Sequence, residues 1–238
     1  MNKSTAFNRG RGLHGQLLHH LGQLIVSGDL GADGPLVSDE MGEHFGVSRT
    51  VLREALRVLE AKGLISARPK LGTRVQPMSD WSLLDPDIIA WRATGSQGNT
   101  QHRELSELRC MIEPFAARLA ASHQPEELHQ ELATAVTVMD RALRRSDRFV
   151  FARADAEFHA AVVRASGNRT LEHLSGIVSD GLDSTVGSTQ GCQPSKSSVE
   201  HHSTVVHAVS RQDGAGAEAA MCELLADCAV VAIPEQQA

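Results

Sequence analysis

Aromatic residues are scarce in this chain of 238 residues, which contains no tyrosine, 2 tryptophans and 6 phenylalanines. The hydrophobic fraction of 41% is nevertheless sufficient for a packed core. Alanine and leucine are interspersed along the chain and favour helices, whereas the aromatic residues that favour strands are few. We therefore predict a mainly α-helical protein.

Cysteines and long hydrophobic runs are equally few. The four cysteines form no CxxC pair, which argues against a zinc finger and against a disulfide framework. No run approaches the roughly 18 apolar residues of a membrane span, and the polar N-terminus lacks the apolar core of a signal peptide. These absences predict a soluble cytoplasmic protein that does not contact a membrane.

The net charge of −6 is divided unevenly along the chain. Residues 1–78 carry a net charge of +3, and the remaining residues carry −9. A mildly basic segment attached to an acidic one is not a non-specific polycation. The asymmetry indicates that the first part meets an anionic partner while the acidic part is kept away from it.

The most informative stretch is residues 38–75. The sequence FGVS, residues 45–48, separates a short apolar segment from a longer one in which Val51, Leu52, Ala55, Leu56, Val58 and Leu59 recur at helical spacing. Gly46 can adopt the positive φ that a tight corner commonly needs, and Ser48 is a good N-cap. This pattern predicts a helix-turn-helix in which Ser48 begins the second helix.

The polar face of that second helix carries Arg49, Thr50, Arg53 and Arg57. The N-terminal end of a recognition helix enters the major groove of DNA, where arginine can bind guanine in bidentate fashion or contact a phosphate. Two short strands, 64–67 and 73–75, are predicted next, and the segment between them carries Arg68, Lys70 and Gly72 as a basic tip. A basic hairpin after a recognition helix is typical of a DNA-contacting wing.

An arginine-bearing helix is often only a solvated surface. Here a corner, a capped helix and a basic hairpin follow one another within one short window, and this order favours DNA binding. Upstream, residues 13–26 form an apolar stripe at helical spacing, which predicts a further helix of the same domain. We assign residues 1–77 to a winged helix-turn-helix domain.

Residues 78–100 are interpreted as a linker with a short helix, in which Trp81 and Trp91 are expected to be interdomain packing anchors. Residues 101–238 are predicted to form an all-α antiparallel helical bundle. Helical periodicity in that region covers 102–122, 125–145, 147–165, 168–186, 198–211 and 214–233.

The predicted bundle contains candidate metal ligands. Asp155 and His159 are four residues apart and hence share one face of a helix. A single pair of this kind is more often a hydrogen bond than a metal site, but His201 and His202 lie early in a later helix. Nitrogen and oxygen ligands that converge in a bundle suit Zn, Ni, Fe or Mn rather than Ca or Mg.

A second set of polar residues is a candidate site for a small carboxylate effector. The planar guanidinium of Arg109 matches a carboxylate, although Arg109 can instead pair with Glu113 along the same helix. Asn168, Ser175 and Ser179 are candidates for recognition of effector hydroxyl groups.

FGVSRTVLREALRVLEAKGLI followed by GTRV closely resembles the N-terminal domain of the GntR family of bacterial transcriptional regulators. The resemblance implies that Arg49 and Arg53 read bases and phosphates and that Gly72 lies at the wing. One departure is Glu40, which follows Asp39 at a position where many members carry an arginine. This departure predicts the loss of a phosphate contact and a different operator affinity or sequence preference.

ELRCMIEPFAARLAA, DAEFHAAVVRASGN and EHHSTVVHAV resemble the FCD-type effector domain of the FadR subfamily. The resemblance implies a divalent transition-metal site made by Asp155, His159 and His202. The fourth ligand position falls on Leu224, which cannot bind a metal, so that positions remain open for water or an effector carboxylate; alternatively the metal is lost altogether.

The segment WSLLDPDIIAW is similar to the branch of this subfamily that responds to sugar acids such as galactonate, which implies an aldonate or related hydroxy acid as effector. We therefore expect a homodimeric repressor, not an enzyme, that leaves a palindromic double-stranded DNA operator when the effector binds. Residues 101–238 are expected to form its effector-binding and dimerisation domain. Two alternatives stay open. One is a metal-dependent lyase or hydrolase that uses Asp155, His159 and His202, and the other is a metal-free sensor of acyl-CoA or another bulky acid.

Overall fold

The computed structural model of the chain describes residues 12–31, 34–36, 38–68, 72–123, 128–183 and 194–231. The chain divides into two compact units, Met1–Gly98 and Asn99–Ala238. Helices dominate both units, and the first also carries a two-stranded sheet. The predicted fold class, a winged helix-turn-helix followed by an all-helical domain, is confirmed.

The first unit has the element order of a winged helix-turn-helix. Its elements are α1 (Leu13–Ser27), α2 (Ser38–Phe45), α3 (Arg49–Ala61), β1 (Ile65–Arg68), β2 (Gly72–Val75), a short 3₁₀ turn (Met78–Asp80) and α4 (Pro86–Ala93). The two strands pair antiparallel, with Ile65 opposite Val75. Each strand lies within one residue of its predicted position.

The core of the first unit lies between α1, α3 and α4. Apolar residues of α1 recur every four positions and are 0–3% exposed, as are their partners on α3 and α4. These residues are Leu17, Leu21 and Ile25 of α1, Leu52, Ala55 and Leu59 of α3, and Ile88 and Trp91 of α4. The unit therefore buries one face of α3 and leaves the opposite face open to solvent.

Residues 78–100, predicted as a linker, are for the most part built into the first unit. Trp91 is 2% exposed, and its ring lies so close to Gly22 that a Cβ there would be 2.5 Å from it. Its Nε1 donates a hydrogen bond to His19 Nδ1 at 2.8 Å, and Trp81 Nε1 donates to the carbonyl oxygen of Gln76 at 2.9 Å. Both tryptophans, expected as interdomain anchors, thus pack on the core of the first unit.

An ion-pair cluster joins the end of α3 to the start of α4. Lys62 Nζ lies 2.7 Å from both carboxylate oxygens of Asp85 and 2.9 Å from Asp87 Oδ2. Asp85 is also the N-cap of α4, where its side chain accepts from the amides of Asp87 and Ile88. Burial opposes the charge of Lys62, but its hydrogen bonds to the two carboxylates outweigh burial and raise the pKa of Lys62 above 10.5.

The second unit consists of helices in its described part. They are α5 (Gly98–His123), α6 (Leu128–Arg144), α7 (Arg148–Ala165), α8 (Arg169–Asp183), α9 (Lys196–Ser210) and α10 (Gly214–Val231). The six predicted helices are all present, and α5 starts four residues early because residues 98–101 supply its first turn. Helices α6 and α7, α7 and α8, and α9 and α10 pack as neighbours, and α6 also packs on α9.

The core of the second unit is aliphatic with two aromatic rings. Phe151 and Phe158 of α7 are 0–1% exposed and pack with leucine, methionine, valine and alanine side chains of the other helices. Because α7 contributes to this core along its whole length, packing fixes the directions in which its other side chains point. In the part of the chain that the structure describes, no helix combines the length and the apolar composition that a membrane crossing requires.

Candidate functional site

The corner before α3 is closed by its backbone. Gly46 has φ of 63°, in the left-handed region that favours glycine, and the Val47 amide donates to the carbonyl oxygen of Gly42 at 3.1 Å. The hydroxyl of Ser48 then accepts a hydrogen bond from the Val51 amide at 3.3 Å, which caps the first turn of α3. These contacts fix the direction in which the N-terminal end of α3 points.

The exposed face of α3 carries the four residues predicted to contact DNA: Arg49, Thr50, Arg53 and Arg57. Arg57 Nη1 lies 3.1 Å from Glu54 Oε1, one turn away. Arg49 and Arg53 stand nearer the capped end, which is the end that a recognition helix inserts into the major groove. The exposed, capped end of α3 therefore carries positive charge.

The wing is linked to the recognition helix. Arg68 ends β1 opposite Gly72, whose φ of 76° requires the conformational freedom of glycine. Glu60 Oε1, in the last turn of α3, accepts a hydrogen bond from the Ala67 amide at 3.1 Å, a contact that sequence reasoning missed. Lys70, predicted for the same tip, lies outside the described residues. Glu40, the departure noted in α2, is exposed.

The second candidate site is a polar cluster inside the other unit. Asp155 and His159 of α7 meet His202 of α9, and their ligand atoms all lie within 4.8 Å of one another. Asp155 Oδ1 is 3.1 Å from His202 Nε2 and 3.9 Å from His159 Nε2. Both histidines are 0–1% exposed. Of the two adjacent histidines that the sequence offered, the structure brings His202 rather than His201 into the cluster.

The hydrogen bonds of the two histidines decide which ring nitrogen carries a proton. His202 Nδ1 is 2.7 Å from the carbonyl oxygen of Ser198, which can only accept, so Nδ1 is the donor. His159 Nδ1 is 2.6 Å from Glu113 Oε2. In the neutral rings, both Nε2 atoms therefore carry lone pairs, and both lone pairs are directed towards Asp155.

Two carboxylates in this region stay ionised although they are buried. Burial would raise the pKa of Glu113, but the charges of Arg109 and His159 outweigh it and lower that pKa to about 2. Burial likewise opposes ionisation of Asp155, yet when the two rings are protonated a hydrogen bond from His202 Nε2 and the charges of His159, His202 and Arg109 hold its pKa well below the usual range. Glu113 is thus a fixed acceptor that keeps the proton on His159 Nδ1.

A carboxylate oxygen and two imidazole nitrogens that present lone pairs to one another repel unless a cation or a proton lies among them. This donor set suits a divalent transition metal. Glu113 accepts a hydrogen bond from Nδ1 of His159, and the Ser198 carbonyl oxygen accepts one from Nδ1 of His202. Hydrogen bonds of this kind, made by the ring nitrogen that does not bind the ion, orient metal-binding histidines. The residues present therefore fit such an ion.

Arg109, predicted to contact an effector carboxylate, is bound to Glu113. Its Nε lies 2.8 Å from Glu113 Oε1 and its Nη2 lies 3.4 Å from Oε2. The side chains of Arg109 and Glu113 are 19% and 1% exposed, so this is the predicted alternative, a pair along the same helix, in a largely buried form. From the sequence, Glu113 is identified only as a partner of Arg109. The spacing of the two residues gives no indication of the contact between Glu113 and His159.

The other three residues predicted for the effector lie elsewhere. Asn168 Oδ1 accepts hydrogen bonds from the amides of Thr170 and Leu171 and so caps α8. Ser175 and Ser179 line a groove of about 630 Å³ between α7 and α8, and neither Arg109 nor the Asp155 cluster is among its lining residues. The structure therefore does not gather the four predicted effector residues into one site.

Leu224 is fully buried in α10 and belongs to the hydrophobic core. Among the described residues the cluster has three members, Asp155, His159 and His202. The side chain of Leu224 offers no ligand atom, which leaves room in the coordination of any bound ion for a non-protein ligand.

Comparison with known proteins identifies a family for each of the two units. Residues 13–75 match the family model of bacterial regulatory proteins, gntR family, and residues 104–227 match that of the FCD domain. The chain belongs to the GntR family, in its FCD-containing form. Members of this family are regulators of transcription, and this GntR protein is accordingly a DNA-binding transcriptional regulator rather than an enzyme.

Two relatives cover most of this GntR chain. The galactonate operon transcriptional repressor of Escherichia coli (strain K12) is 30% identical over 211 residues, which are 87% of this chain and 90% of the relative. The HTH-type transcriptional regulator LutR of Bacillus subtilis (strain 168) is 31% identical over 214 residues, 83% of this chain and 91% of the relative.

A solved structure supports the fold. The structure of Lar, which controls the expression of the Listeria monocytogenes agr system, aligns with a TM-score of 0.60 at 17% identity and covers 94% of this chain and 98% of Lar. At that identity the likeness concerns the fold alone. The family and the fold thus agree for both units of this GntR regulator.

Proposed function

We propose that this GntR regulator is a cytoplasmic homodimeric repressor that binds a palindromic double-stranded DNA operator and is released from it by a small carboxylate. The observation that carries the proposal is the combination, in one chain, of an exposed arginine-bearing recognition helix and a buried cluster of ligand-type side chains. One unit offers a surface for phosphates and bases, and the other offers an interior for a small polar molecule. An effector changes operator affinity only if it binds the two arrangements of the protein unequally.

The DNA-contacting set in this proposal consists of Ser48, Arg49, Thr50, Arg53, Arg57, Arg68, Lys70 and Gly72. The capped start of α3 supports the roles of Arg49 and Arg53, because a bidentate contact with guanine discriminates by about 1–3 kcal/mol against the wrong base. Arg68 ends β1 opposite Gly72, which supports a role for it in a contact with the DNA backbone, since such contacts position a domain on DNA.

The metal in this proposal is a divalent transition ion, Zn, Ni, Fe or Mn, held by Asp155 Oδ1, His159 Nε2 and His202 Nε2. The orientation of both histidines by Glu113 and Ser198 supports it. When bound, the ion supplies positive charge that attracts carboxylate and hydroxyl oxygens. Leu224 adds no ligand, and this favours an effector that completes the coordination.

The effector class in this proposal is a sugar acid or related hydroxy acid. The relation to a repressor of a galactonate operon supports it, as does Arg109, whose charge is felt at Asp155. In this view Arg109 acts through Glu113, with which it is paired, and through its positive charge, which contributes to lowering the pKa of Asp155. We propose separately that Asn168, Ser175 and Ser179 take part in effector recognition, because these residues lie outside the cluster of Asp155, His159 and His202.

The test of the metal and effector uses purified full-length protein. Elemental analysis is expected to find a transition metal in the wild-type chain, and calorimetry with a panel including galactonate and gluconate is expected to find binding. His202→Ala is expected to lose both, whereas His207→Ala, which removes an exposed histidine of the same helix, keeps both. Wild-type protein without metal that binds a bulky acid such as an acyl-CoA would overturn this assignment.

The test of DNA binding is a gel shift on the DNA upstream of the gene. Arg49→Ala is expected to abolish specific binding without changing the melting temperature. Arg103→Ala, which removes an exposed arginine of the other unit, is the matched control. Unchanged operator binding by the Arg49 variant would contradict the assignment of α3 as the reading helix.

A further inference from the structure

The groove between α7 and α8 is a largely apolar surface whose lining does not include Asp155, His159 or His202. Its floor on α7 consists of Phe149, Ala152, Ala156, Ala160 and Val163, which we call the α7 face. Phe149 is 73% exposed, although a ring of this size is normally buried against other apolar groups. A groove of about 630 Å³ beside an uncovered aromatic ring has the features of a protein interface.

The α7 face is symmetric about Ala156. Phe149 and Val163 are equally far from it along the helix, and so are Ala152 and Ala160. When two copies of a helix pack antiparallel about a two-fold axis, residues at equal distances from the axis meet. Ala156 would then meet itself, Ala152 would meet Ala160 of the second copy, and Phe149 would reach the groove floor at Val163 of the second copy.

The charges that flank the α7 face are also self-complementary. Arg153 and Glu157 are 74% and 62% exposed and form an ion pair of 3.0 Å on one edge of the face. In an antiparallel helix pair, equivalent edges of the two helices lie side by side. With the axis at Ala156, Arg153 lies three residues before the axis and Glu157 one residue after it. Arg153 and Glu157 of the second copy would therefore be offset by two residues, about 3 Å along the helix. Each copy would supply the arginine of one pair and the glutamate of the other.

We infer that the occupant of this groove is α7 of a second copy of the chain, packed antiparallel about a two-fold axis at Ala156. The inference rests on the homodimer of the proposed function and names the surface through which the FCD domains associate. The small side chains near the axis permit close approach of the helices, and Phe149 fills the groove at each end. Asp155 and His159 lie on an adjacent side of α7, where they meet His202 of α9.

A second apolar surface on α5 offers a rival occupant site. Met111 and Phe115 are 78% and 45% exposed, but Ile112, Glu113 and Pro114 between them are buried. Because residues four apart are neighbours on a helix, Met111 and Phe115 form one patch of a single turn. This patch is shorter than the α7 face, which runs from Phe149 to Val163. We treat association through α5 as an alternative outcome of the test.

The test is cross-linking of full-length protein in which the four native cysteines are replaced by serine. Ala156→Cys in that background is expected to form a disulfide-linked dimer under mild oxidation, since the residue would meet its own copy. Thr204→Cys, at an exposed position of α9, is the control and is expected to stay uncross-linked. A mixture of Ala152→Cys and Ala160→Cys chains is expected to cross-link more than either chain alone.

A companion measurement uses sedimentation of the otherwise unaltered chain. Ala156→Glu places like charges at the axis and is expected to shift the mass from dimer to monomer, with melting temperature preserved because Ala156 is only half-buried. A dimeric wild type that cross-links at Phe115→Cys but not at Ala156→Cys overturns the inference and leaves the proposed homodimer intact. A monomeric wild type overturns both, and gel-shift binding then reports separately on DNA recognition.

Discussion

The two units of this GntR regulator place their candidate functional side chains in opposite environments. In the first, Arg49 and Arg53 are exposed on a helix whose other face holds the core. In the second, His159, His202 and Glu113 are 0–1% exposed and hydrogen-bonded to one another or to the backbone. Function and stability are therefore separable in the DNA-binding unit, whereas the same contacts serve both in the FCD unit.

The largest effect is expected at Glu113. Glu113→Ala leaves the buried side chains of Arg109 and His159 without their acceptor, and removal of one partner of a buried ion pair costs about 3–5 kcal/mol. We expect a loss of this size in the free energy of unfolding of the second unit. Urea denaturation followed by circular dichroism measures it.

Glu107→Ala is the matched control for Glu113, because Glu107 is a 70% exposed carboxylate of the same helix whose partner, Arg103, is 3.8 Å away. Its loss is expected to change stability by less than about 0.5 kcal/mol. If Glu107→Ala and Glu113→Ala changed the free energy of unfolding equally, the buried ion pair would contribute no more to stability than the exposed one.

The next effect concerns the packing of α4 on α1. Gly22→Ala would place a Cβ 2.5 Å from the ring of Trp91, and overpacking of a core typically costs about 1–3 kcal/mol. Gly42→Ala is the control in α2, where the nearest atom to a new Cβ is 3.6 Å away. That substitution is expected to be neutral or to stabilise the helix by up to about 1 kcal/mol, as thermal unfolding would reveal.

Separation of function from stability is expected to be clearest at Arg53. Arg53→Ala is predicted to weaken operator binding by about 1–3 kcal/mol if the side chain makes a bidentate base contact, with the melting temperature unchanged. Arg57→Ala, whose side chain is paired with Glu54, is expected to lose less affinity. A melting temperature that falls in parallel with affinity would show that recognition and stability are coupled in this unit too.

The smallest effect is expected at Lys62, and it depends on pH. The folded-state pKa of Lys62 is raised above 10.5, so its ion pairs stabilise the fold fully below about pH 10 and lose this contribution as pH rises through the folded-state pKa. Lys62→Met is predicted to cost about 1 kcal/mol at neutral pH. The difference from wild type should shrink in alkaline urea titrations.

Few other titrating side chains interfere with this measurement at alkaline pH. The chain has no tyrosine and four lysines, namely Lys3, Lys62, Lys70 and Lys196. Few other side chains therefore titrate where Lys62 does. A difference between wild type and Lys62→Met that stays constant above pH 11 would refute the role of these ion pairs.

Features set by local spacing could be predicted from the sequence. The corner at Gly46, the cap at Ser48 and the exposed arginine face of α3 follow from residues close along the chain, and all three are present. Asp155 and His159 share a helix face for the same reason. The choice of His202 over His201 came from the family resemblance rather than from spacing, and the structure places His202 in the cluster.

Contacts between distant segments were beyond sequence reasoning. Glu113 reaches His159 from another helix, and nothing in the local pattern of α5 specifies which residue of α7 it meets. Trp91 was interpreted as an interdomain anchor because large rings bury area well, but the absence of a side chain at Gly22 leaves space for its ring to pack against α1. In both cases the partner is determined by how helices pack, which depends on the whole core.

The packing of Trp91 against Gly22 also determines which unit gives rise to the intrinsic fluorescence. Both tryptophans lie in the first unit, and the chain has no tyrosine, so that intrinsic fluorescence arises from the DNA-binding unit. The second unit contributes most of the helices and hence most of the far-ultraviolet dichroism. The two optical signals, recorded on one unlabelled sample, would follow the unfolding of the two units separately and would show whether a ligand of one unit stabilises the other.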